Sequence, residues 1–285
     1  MEEDFEDYSE GDFEDEDDGD SPVFDKRFSL EKKTRRAETV KKELSAQKTE
    51  GGVFSKATLD AVGKLGSEGA IDRIICPIAT GKEADVFRGE CGGEDIAIKI
   101  YRMASASYFK NPTVLSYIIG DERFKKVKKT PSALLGCWTR KEFSNLKKAA
   151  TIKGVLSPEA ISFEKNVIVM EFVGKDTVAC PKLKHVELDD PHSMFETVIE
   201  ELSAMWKAGF VHADLSEYNI LVKDGAPWLI DFGQGVLKSH PMAESFLERD
   251  IRNVCAFFKR KGVSCDAEEE IKRITFEQKT RTSEE

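Results

Sequence analysis

Residues 211–221 read Val-His-Ala-Asp-Leu-Ser-Glu-Tyr-Asn-Ile-Leu, so that Asp214 precedes Asn219 by five positions and an apolar run follows. A second element, Trp228-Leu229-Ile230-Asp231-Phe232-Gly233, is an apolar strand that delivers another Asp into a turn. Between them Asp224-Gly225 is the dipeptide that turns a tight hairpin. Any fold for this chain has to seat two polar loops, Asp214 with Asn219 and then Asp231, on either side of one short hairpin.

Two charges earlier in the chain break apolar patterns. Residues 95–101 read Asp-Ile-Ala-Ile-Lys-Ile-Tyr, a strand whose apolar stretch is interrupted by Lys99. Further on, Leu135, Trp138, Glu142, Leu146 and Ala149 fall at helical spacing, which puts Glu142 on the apolar face. A carboxylate there needs a partner, and the two anomalies become one ion pair, with Glu159 the weaker alternative beside Pro158 in a loop. Ahead of Lys99, residues 71–78 and 84–89 read as strands joined by Ala79-Thr80-Gly81-Lys82-Glu83. A helix with the stripe Thr58, Leu59, Val62 and Leu65 precedes them. Residues 166–173 form a buried strand leading to Gly174, a pivot between two lobes. Asp190-Pro191 then starts a helix with a stripe through Phe195, Val198, Ile199, Leu202, Met205 and Trp206.

Phosphoryl transfer concentrates charge on oxygens that have to be positioned and neutralised, and this residue set suits that task. Asp231 and Asn219 offer hard oxygen ligands for Mg²⁺ or Mn²⁺, and Asp214 can accept the proton of an attacking hydroxyl or orient a water. His212 is expected to brace the loop by hydrogen bonding. Kinase catalytic loops follow the pattern H-R-D-x-x-x-x-N, and here Ala213 stands in place of the Arg. No G-x-G-x-x-G precedes Lys99, and residues 76–83 do not form a Walker A loop, because Cys76 and Glu83 replace its first Gly and its Ser/Thr. After Asp231 there is no A-P-E, and too little chain for an activation segment.

The 285-residue chain has 40% hydrophobic residues and a formal net charge of −10, enough for a sizeable core and unlike a protein built mainly to coat nucleic acid. The acids concentrate in residues 1–20, where Asp4-Phe5-Glu6-Asp7 is echoed by Asp12-Phe13-Glu14-Asp15, a segment too polar to fold alone. The expected organisation is a disordered acidic tail over 1–28 and a charged helical linker over 29–53. An N-lobe follows over 54–173 with a mobile insert at 103–130, then a reduced C-lobe over 174–265 and a charged tail over 266–285. No segment approaches the roughly 20 apolar residues that span a bilayer, so an intracellular, cytoplasmic protein with no membrane partner is expected. The six scattered cysteines are expected as reduced thiols.

These residues resemble the RIO family of atypical serine/threonine protein kinases, most closely its type-one branch and an archaeal member. Thr80-Gly81-Lys82-Glu83-Ala84 resembles its shortened phosphate loop, residues 211–221 its catalytic loop, and His240-Pro241 through Phe257-Phe258-Lys259-Arg260 its closing helices. The resemblance implies an α+β, bilobal protein-kinase-like fold, with a small antiparallel β N-lobe and a mostly helical, reduced C-lobe lacking an activation segment. It implies that ATP lies against Thr80, Gly81, Lys82, Glu83, Ala84, Val86 and Lys99, with adenine at the backbone of Glu171 and Val173 and Met170 lining the pocket. Asp231 is implied as a transient phosphate acceptor, which makes the enzyme an ATPase switch as much as a kinase. The implied partner is a precursor of the small ribosomal subunit, protein and rRNA, which Lys125, Lys126, Lys128 and Lys129 would contact. Protein substrates would include the chain itself; Ser105, Ser107 and Tyr108 are candidate acceptors only by their place in the expected mobile insert. The alternatives are a small-molecule phosphotransferase of the aminoglycoside or choline kinase type, disfavoured by the phosphate loop and closing helices, and a nucleotide-binding scaffold without turnover.

Overall fold

The computed structural model describes residues 23–47, 54–103, 111–124, 127–128 and 130–281. Most of the acidic segment (residues 1–22), Gly51-Gly52, Ser105, Ser107, Tyr108, Lys125, Lys126 and Lys129 lie outside the described residues. The chain opens with α1 (Val23–Ala46) and α2 (Lys56–Ser67), followed by strands β1 (Arg73–Thr80), β2 (Ala84–Cys91) and β3 (Glu94–Tyr101). Helices α3 (Pro112–Ile119) and α4 (Pro131–Ala150) lead to strands β4 (Ala160–Glu164) and β5 (Val167–Glu171). These five strands form one antiparallel sheet in the order β1-β2-β3-β5-β4. The apolar run around Lys99 is the middle strand, with Lys99 opposite Val86 on one side and Ile168 on the other.

The second lobe begins with the hairpin β6 (Gly174–Lys175) and β7 (Val178–Ala179), then α5 (Pro191–Lys207). Asp190 caps α5 as its sequence suggests, accepting from the Ser193 amide at 2.9 Å. Strand β8 (Phe210–Val211) enters the catalytic loop, and β9 (Ile220–Lys223) and β10 (Ala226–Leu229) make the expected hairpin, with Asp224 and Gly225 both at positive φ. Strand β11 (Val236–Leu237) returns to pair with β8, and helices α6 (Ala243–Arg260) and α7 (Ala267–Arg281) close the lobe. Only residues 232–242 separate Asp231 from α6, so there is no activation segment. Among the described residues no helix is long and apolar enough to cross a membrane.

Three segments are more integrated than their composition suggests. Helix α1, expected as a linker, is part of the first lobe: Val40 and Leu44 are fully buried, and Glu43 accepts the Ile74 amide at 2.6 Å. Its close approach to α2 depends on Gly66, where a Cβ would lie 2.7 Å from the Val40 side chain. The described part of the 103–130 insert is not a loose excursion, because Val114, Tyr117, Ile118 and Phe124 are buried in the main core. Residues 266–281 likewise continue the fold, with Asp266 accepting the Glu268 amide at 2.8 Å and Ile271 and Ile274 in the core. In α1 and in residues 266–281 the few apolar residues that pack are outnumbered by charges that face water, which hides the buried stripe from a composition reading; α3 carries no charge at all, and the basic run that follows it is what stands out in sequence.

Leu44→Ala is expected to cost about 2–5 kcal/mol by leaving a cavity under α1, while Leu30→Ala, at a 64% exposed position, should stay within about 0.5 kcal/mol. Equilibrium urea unfolding of the two variants measures the difference, and equal small effects would return α1 to the role of a linker.

Candidate active site

Lys99 and Glu142 meet inside the first lobe. Lys99 Nζ lies 2.6 Å from Glu142 Oε1 and 3.0 Å from Asp231 Oδ1, so one ammonium bridges the sheet, α4 and the loop after β10. Burial alone would lower Lys99, but the charges of Asp231 and Glu142 outweigh it and hold the amine well above its ordinary value. The Asp231 side chain is half exposed, and although the protein packed around it acts against the ionised form, Lys99 keeps that carboxyl below its usual value. For Glu142 burial prevails over Lys99, and its carboxyl is raised. The second Glu142 oxygen accepts the Tyr101 hydroxyl, and that hydroxyl accepts the Trp138 indole N–H at 3.0 Å. Tyr101 and Trp138 were not singled out for this role from sequence, since an aromatic at a strand end or on a helix stripe reads as core.

Asp231 sits at φ 66° and ψ 65°, in the left-handed region. The turn after it is pinned from behind by α4. Asn145 Nδ2 donates to the carbonyls of Phe232 at 2.8 Å and Gly235 at 2.7 Å, and Lys141 Nζ donates to Gly233 at 3.0 Å and also to Gly235. Burial pushes Lys141 down to about 7. Phe232 is fully buried against His212, with ring centroids 4.8 Å apart. Gly233 packs on Trp138, where a Cβ would come within 2.9 Å of the indole nitrogen. Lys141 and Asn145 lie one residue before and three after Glu142 on the same helix; their polarity at buried positions was the available signal.

In the catalytic loop, the buried His212 donates from Nε2 to the Ile230 carbonyl at 3.0 Å, tying the loop to the residue before Asp231. Burial lowers its imidazole to about 4, so the ring is neutral. Asn219 Nδ2 donates to the Asp214 carbonyl at 2.9 Å and to its carboxylate at 3.3 Å, which leaves the amide oxygen for another ligand. Burial, then the charge of Asp231, raises Asp214 to about 6, opposed by Arg249 and by the Asn219 bond. Beneath the loop, the fully buried Asp250 accepts the amides of Ala213 at 2.7 Å and Leu215 at 2.9 Å. Asp250 was missed, although it interrupts the apolar stripe Phe246, Leu247, Ile251 and Val254 as Glu142 interrupts its own.

The phosphate-loop candidates form the turn between β1 and β2, where the Gly81 amide donates to the Ala84 carbonyl at 2.9 Å. Thr80, Gly81 and Lys82 are exposed, and Glu83, Ala84 and Val86 half-buried. The turn is anchored by Asp85, whose buried carboxylate takes two bonds from Arg102, at 2.9 and 2.6 Å. At the hinge, Met170 is half-buried in β5. The Glu171 amide donates to the Glu159 carbonyl at 2.8 Å, and the Val173 carbonyl accepts from the Cys180 amide at 3.0 Å. Both groups are therefore engaged within the protein, so neither is open to the adenine contact expected of these two residues. Among the described residues no three His, Cys, Asp or Glu converge as a ready-made metal cage.

A family model described as the RIO domain matches residues 85–271. The RIO-type serine/threonine-protein kinase Rio1 of Haloferax volcanii is 41% identical over 235 residues, covering 82% of this chain and 80% of its own. Rio1 of Methanocaldococcus jannaschii is 39% identical over 239 residues, covering 84% and 81%. Human serine/threonine-protein kinase RIO1 is 38% identical over 207 residues, which are 70% of this chain and 36% of that protein. Among solved structures, the Rio2 kinase-ADP/Mg²⁺-phosphoaspartate complex from Chaetomium thermophilum superposes with a TM-score of 0.58 at 24% identity, covering 83% of this chain and 73% of that one. That likeness establishes the kinase-like fold. The shortened phosphate-loop turn lies just ahead of the matched family region.

Tyr101→Phe would take the hydroxyl away from a buried Glu142 oxygen and from the Trp138 indole N–H. The expected loss is about 1–3 kcal/mol, read as a lower urea midpoint with unchanged slope; an unshifted midpoint would show that the hydroxyl is dispensable.

Proposed function

The chain belongs to the RIO family of atypical serine/threonine protein kinases, with type-one members among its archaeal relatives, and from that membership we propose that it binds ATP with Mg²⁺ and moves the γ-phosphate at Asp214, Asn219 and Asp231. The observation that carries this reading is the single Lys99 ammonium held by both Glu142 and Asp231. A lysine held beside Asp231 in this way supports its role of meeting the α- and β-phosphates.

The donor set suits a small hard cation. Asp231 keeps Oδ2 outside its bond to Lys99, and the Asn219 amide oxygen is turned away from Asp214. One carboxylate and one amide oxygen, completed by phosphate oxygens and waters, is the way Mg²⁺ is commonly held, and Mn²⁺ accepts the same ligands. The cation, when bound, neutralises charge on the phosphate oxygens. Thr80, Gly81, Lys82, Glu83, Ala84 and Val86 cover the phosphates, and Met170 with the Val173 amide and Glu171 carbonyl receives adenine. Asp214 then accepts a proton from an attacking hydroxyl or water.

The related Rio2 complex contains a phosphoaspartate, and Asp231 is the matching candidate here. In that reading Oδ2 would leave the cation and attack the γ-phosphorus as the bond from phosphorus to the bridging oxygen of ADP breaks, and water, deprotonated by Asp214, would later cleave the acyl phosphate to give the free Asp231 carboxylate and inorganic phosphate. Such a cycle gates an assembly rather than modifying a peptide, and the short path from Asp231 to α6 lacks the usual peptide platform. The assembly proposed is a precursor of the small ribosomal subunit, protein and rRNA, which implies a cytoplasmic location; protein substrates would include the chain itself.

With γ-labelled ATP and Mg²⁺, the protein is expected to carry label that hydroxylamine removes and that Asp231→Asn lacks. Label confined to serine or threonine would instead favour a conventional protein kinase. Binding to small-subunit precursor particles should weaken as salt rises if basic side chains meet RNA phosphates, and salt-independent sedimentation with the particles would remove the rRNA contact.

A further inference from the structure

Helix α4 pins the turn after Asp231, and the insert reaches the side chain that does the pinning. Asn145, fully buried, spends both hydrogens of Nδ2 on the carbonyls of Phe232 and Gly235. Its oxygen faces the short turn Glu122–Phe124 that follows α3, where Arg123 Nη2 donates to Asn145 Oδ1 at 2.8 Å. The same guanidinium is aimed by Asp121, donating from Nε to Oδ1 at 2.9 Å and from Nη2 to Oδ2 at 2.6 Å, and the Arg123 amide adds a bond to Oδ1 at 3.1 Å. The Asp121 side chain is fully buried, whereas that of Arg123 is a quarter exposed.

Asn145 has no spare capacity in this arrangement. A carbonyl only accepts and an arginine only donates, so the two carbonyls and the guanidinium together fix the amide in one orientation. Among the described residues Arg123 is the donor that Oδ1 receives, and without it a buried amide oxygen loses its partner, which favours any movement of the side chain that finds another. The insert is itself anchored on the second lobe. The Ser116 carbonyl accepts from His240 Nε2 at 3.0 Å, and the Tyr117 ring stacks on Phe246 with centroids 4.9 Å apart. A chain of contacts thus runs from the start of α6 through α3 and Arg123 to Asn145, and from there back to the turn that carries Asp231.

We propose that Arg123 is a positioning residue for Asp231 that works through Asn145, so that docking of the insert on α4 and the hold of the Asp231 turn on its cation are coupled. The proposal rests on the reading of Asp231 as a ligand of Mg²⁺. Arg123 reaches the turn only by way of Asn145, and its contribution is geometric: it keeps the amide on the two carbonyls that set the path of the chain just after the ligand. Because the guanidinium lies at the edge of the protein while Asn145 and Asp121 lie inside it, whatever moves the insert acts on this link first.

The test compares Arg123→Met, Arg123→Lys, Asn145→Ala and the double variant of Arg123→Met with Asn145→Ala in two measurements, with Asp231→Asn alongside. The first is amide hydrogen exchange of the protein without metal or nucleotide, followed in residues 232–237, where the Gly235 amide donates to the Phe232 carbonyl at 3.0 Å, with α5 as the internal reference. The second is the Mg²⁺ concentration that gives half-maximal ATP turnover. Losing a group that orients a metal ligand costs about ten- to a hundredfold in metal affinity. Arg123→Met should therefore speed exchange in 232–237 about tenfold with α5 unchanged, and raise the Mg²⁺ requirement about tenfold. Arg123→Lys keeps a charge for Asp121 but lacks the planar fork that serves Asn145 as well, and should fall between. Asn145→Ala should act in the same direction, and adding Arg123→Met to it should change either measurement less than about twofold further.

Wild-type exchange in 232–237 for Arg123→Met would overturn the proposal, and so would exchange that rises equally in α5, the mark of general loosening. A faster turn with an unchanged Mg²⁺ requirement overturns it too, as do fully additive effects in the double variant. If Asn145→Ala does not fold, the two measurements on Arg123→Met decide. If Arg123→Met does not fold, Arg123→Lys takes its place: faster exchange confined to the turn with a raised Mg²⁺ requirement upholds the proposal, and wild-type values overturn it. If Asp231→Asn keeps the wild-type Mg²⁺ requirement, the reading of Asp231 as a metal ligand fails and takes the proposal with it. A raised requirement in Asp231→Asn beside an unaffected Arg123→Met sinks the positioning role alone.

Discussion

The ammonium of Lys99 is the point through which the two lobes are registered. It is almost fully enclosed, and it touches carboxylates that enter the chain 43 and 132 residues later. Removing two or three charges from water is costly, and an ion pair of this kind contributes little net stability against an apolar replacement. Its value lies in what happens when Lys99 or Glu142 moves, because a buried charge left unpaired costs about 3–5 kcal/mol. The middle strand, helix α4 and the loop after β10 can therefore occupy few relative positions. Tyr101 and Trp138 tighten the constraint by satisfying the second Glu142 oxygen.

That constraint explains how so short a second lobe can present a defined loop at Asp231. With only residues 232–242 between Asp231 and α6, no activation segment exists to brace the turn. Helix α4 supplies the bracing, through Lys141 and Asn145 on the carbonyls of Phe232, Gly233 and Gly235. Helix α6 does the same for the catalytic loop through Arg249 and Asp250. Both loops are held by side chains on helices, whose positions are set by packing, so the reacting groups inherit the rigidity of the core.

The residues that could be found from sequence were those that violate a pattern. Lys99 in an apolar strand and Glu142 on an apolar helix face are conspicuous because burial of a lone charge is so unfavourable. Asp250 carries the same signature on α6 and was legible in principle. Tyr101 and Trp138 carry none, since an aromatic ring in a core is ordinary and only its polar tip does the positioning. Helices α1 and α7 escaped for the opposite reason: their buried residues are few, and charges dominate the sequence around them.

The sequence by itself determined the chemistry, because Asp214, Asn219 and Asp231 stand at spacings that tie them to the two ends of one hairpin, and local turn chemistry at Asp224-Gly225 suffices to make that hairpin. It also determined that Lys99 and Glu142 need each other. Only the tertiary structure decided how far the folded body extends among the described residues, which backbone groups of the hinge are engaged within the protein, and that Arg249 meets the Ala213 carbonyl. Those outcomes depend on contacts between segments distant along the chain, and no local pattern encodes the direction in which a side chain on one helix meets the backbone of a remote loop.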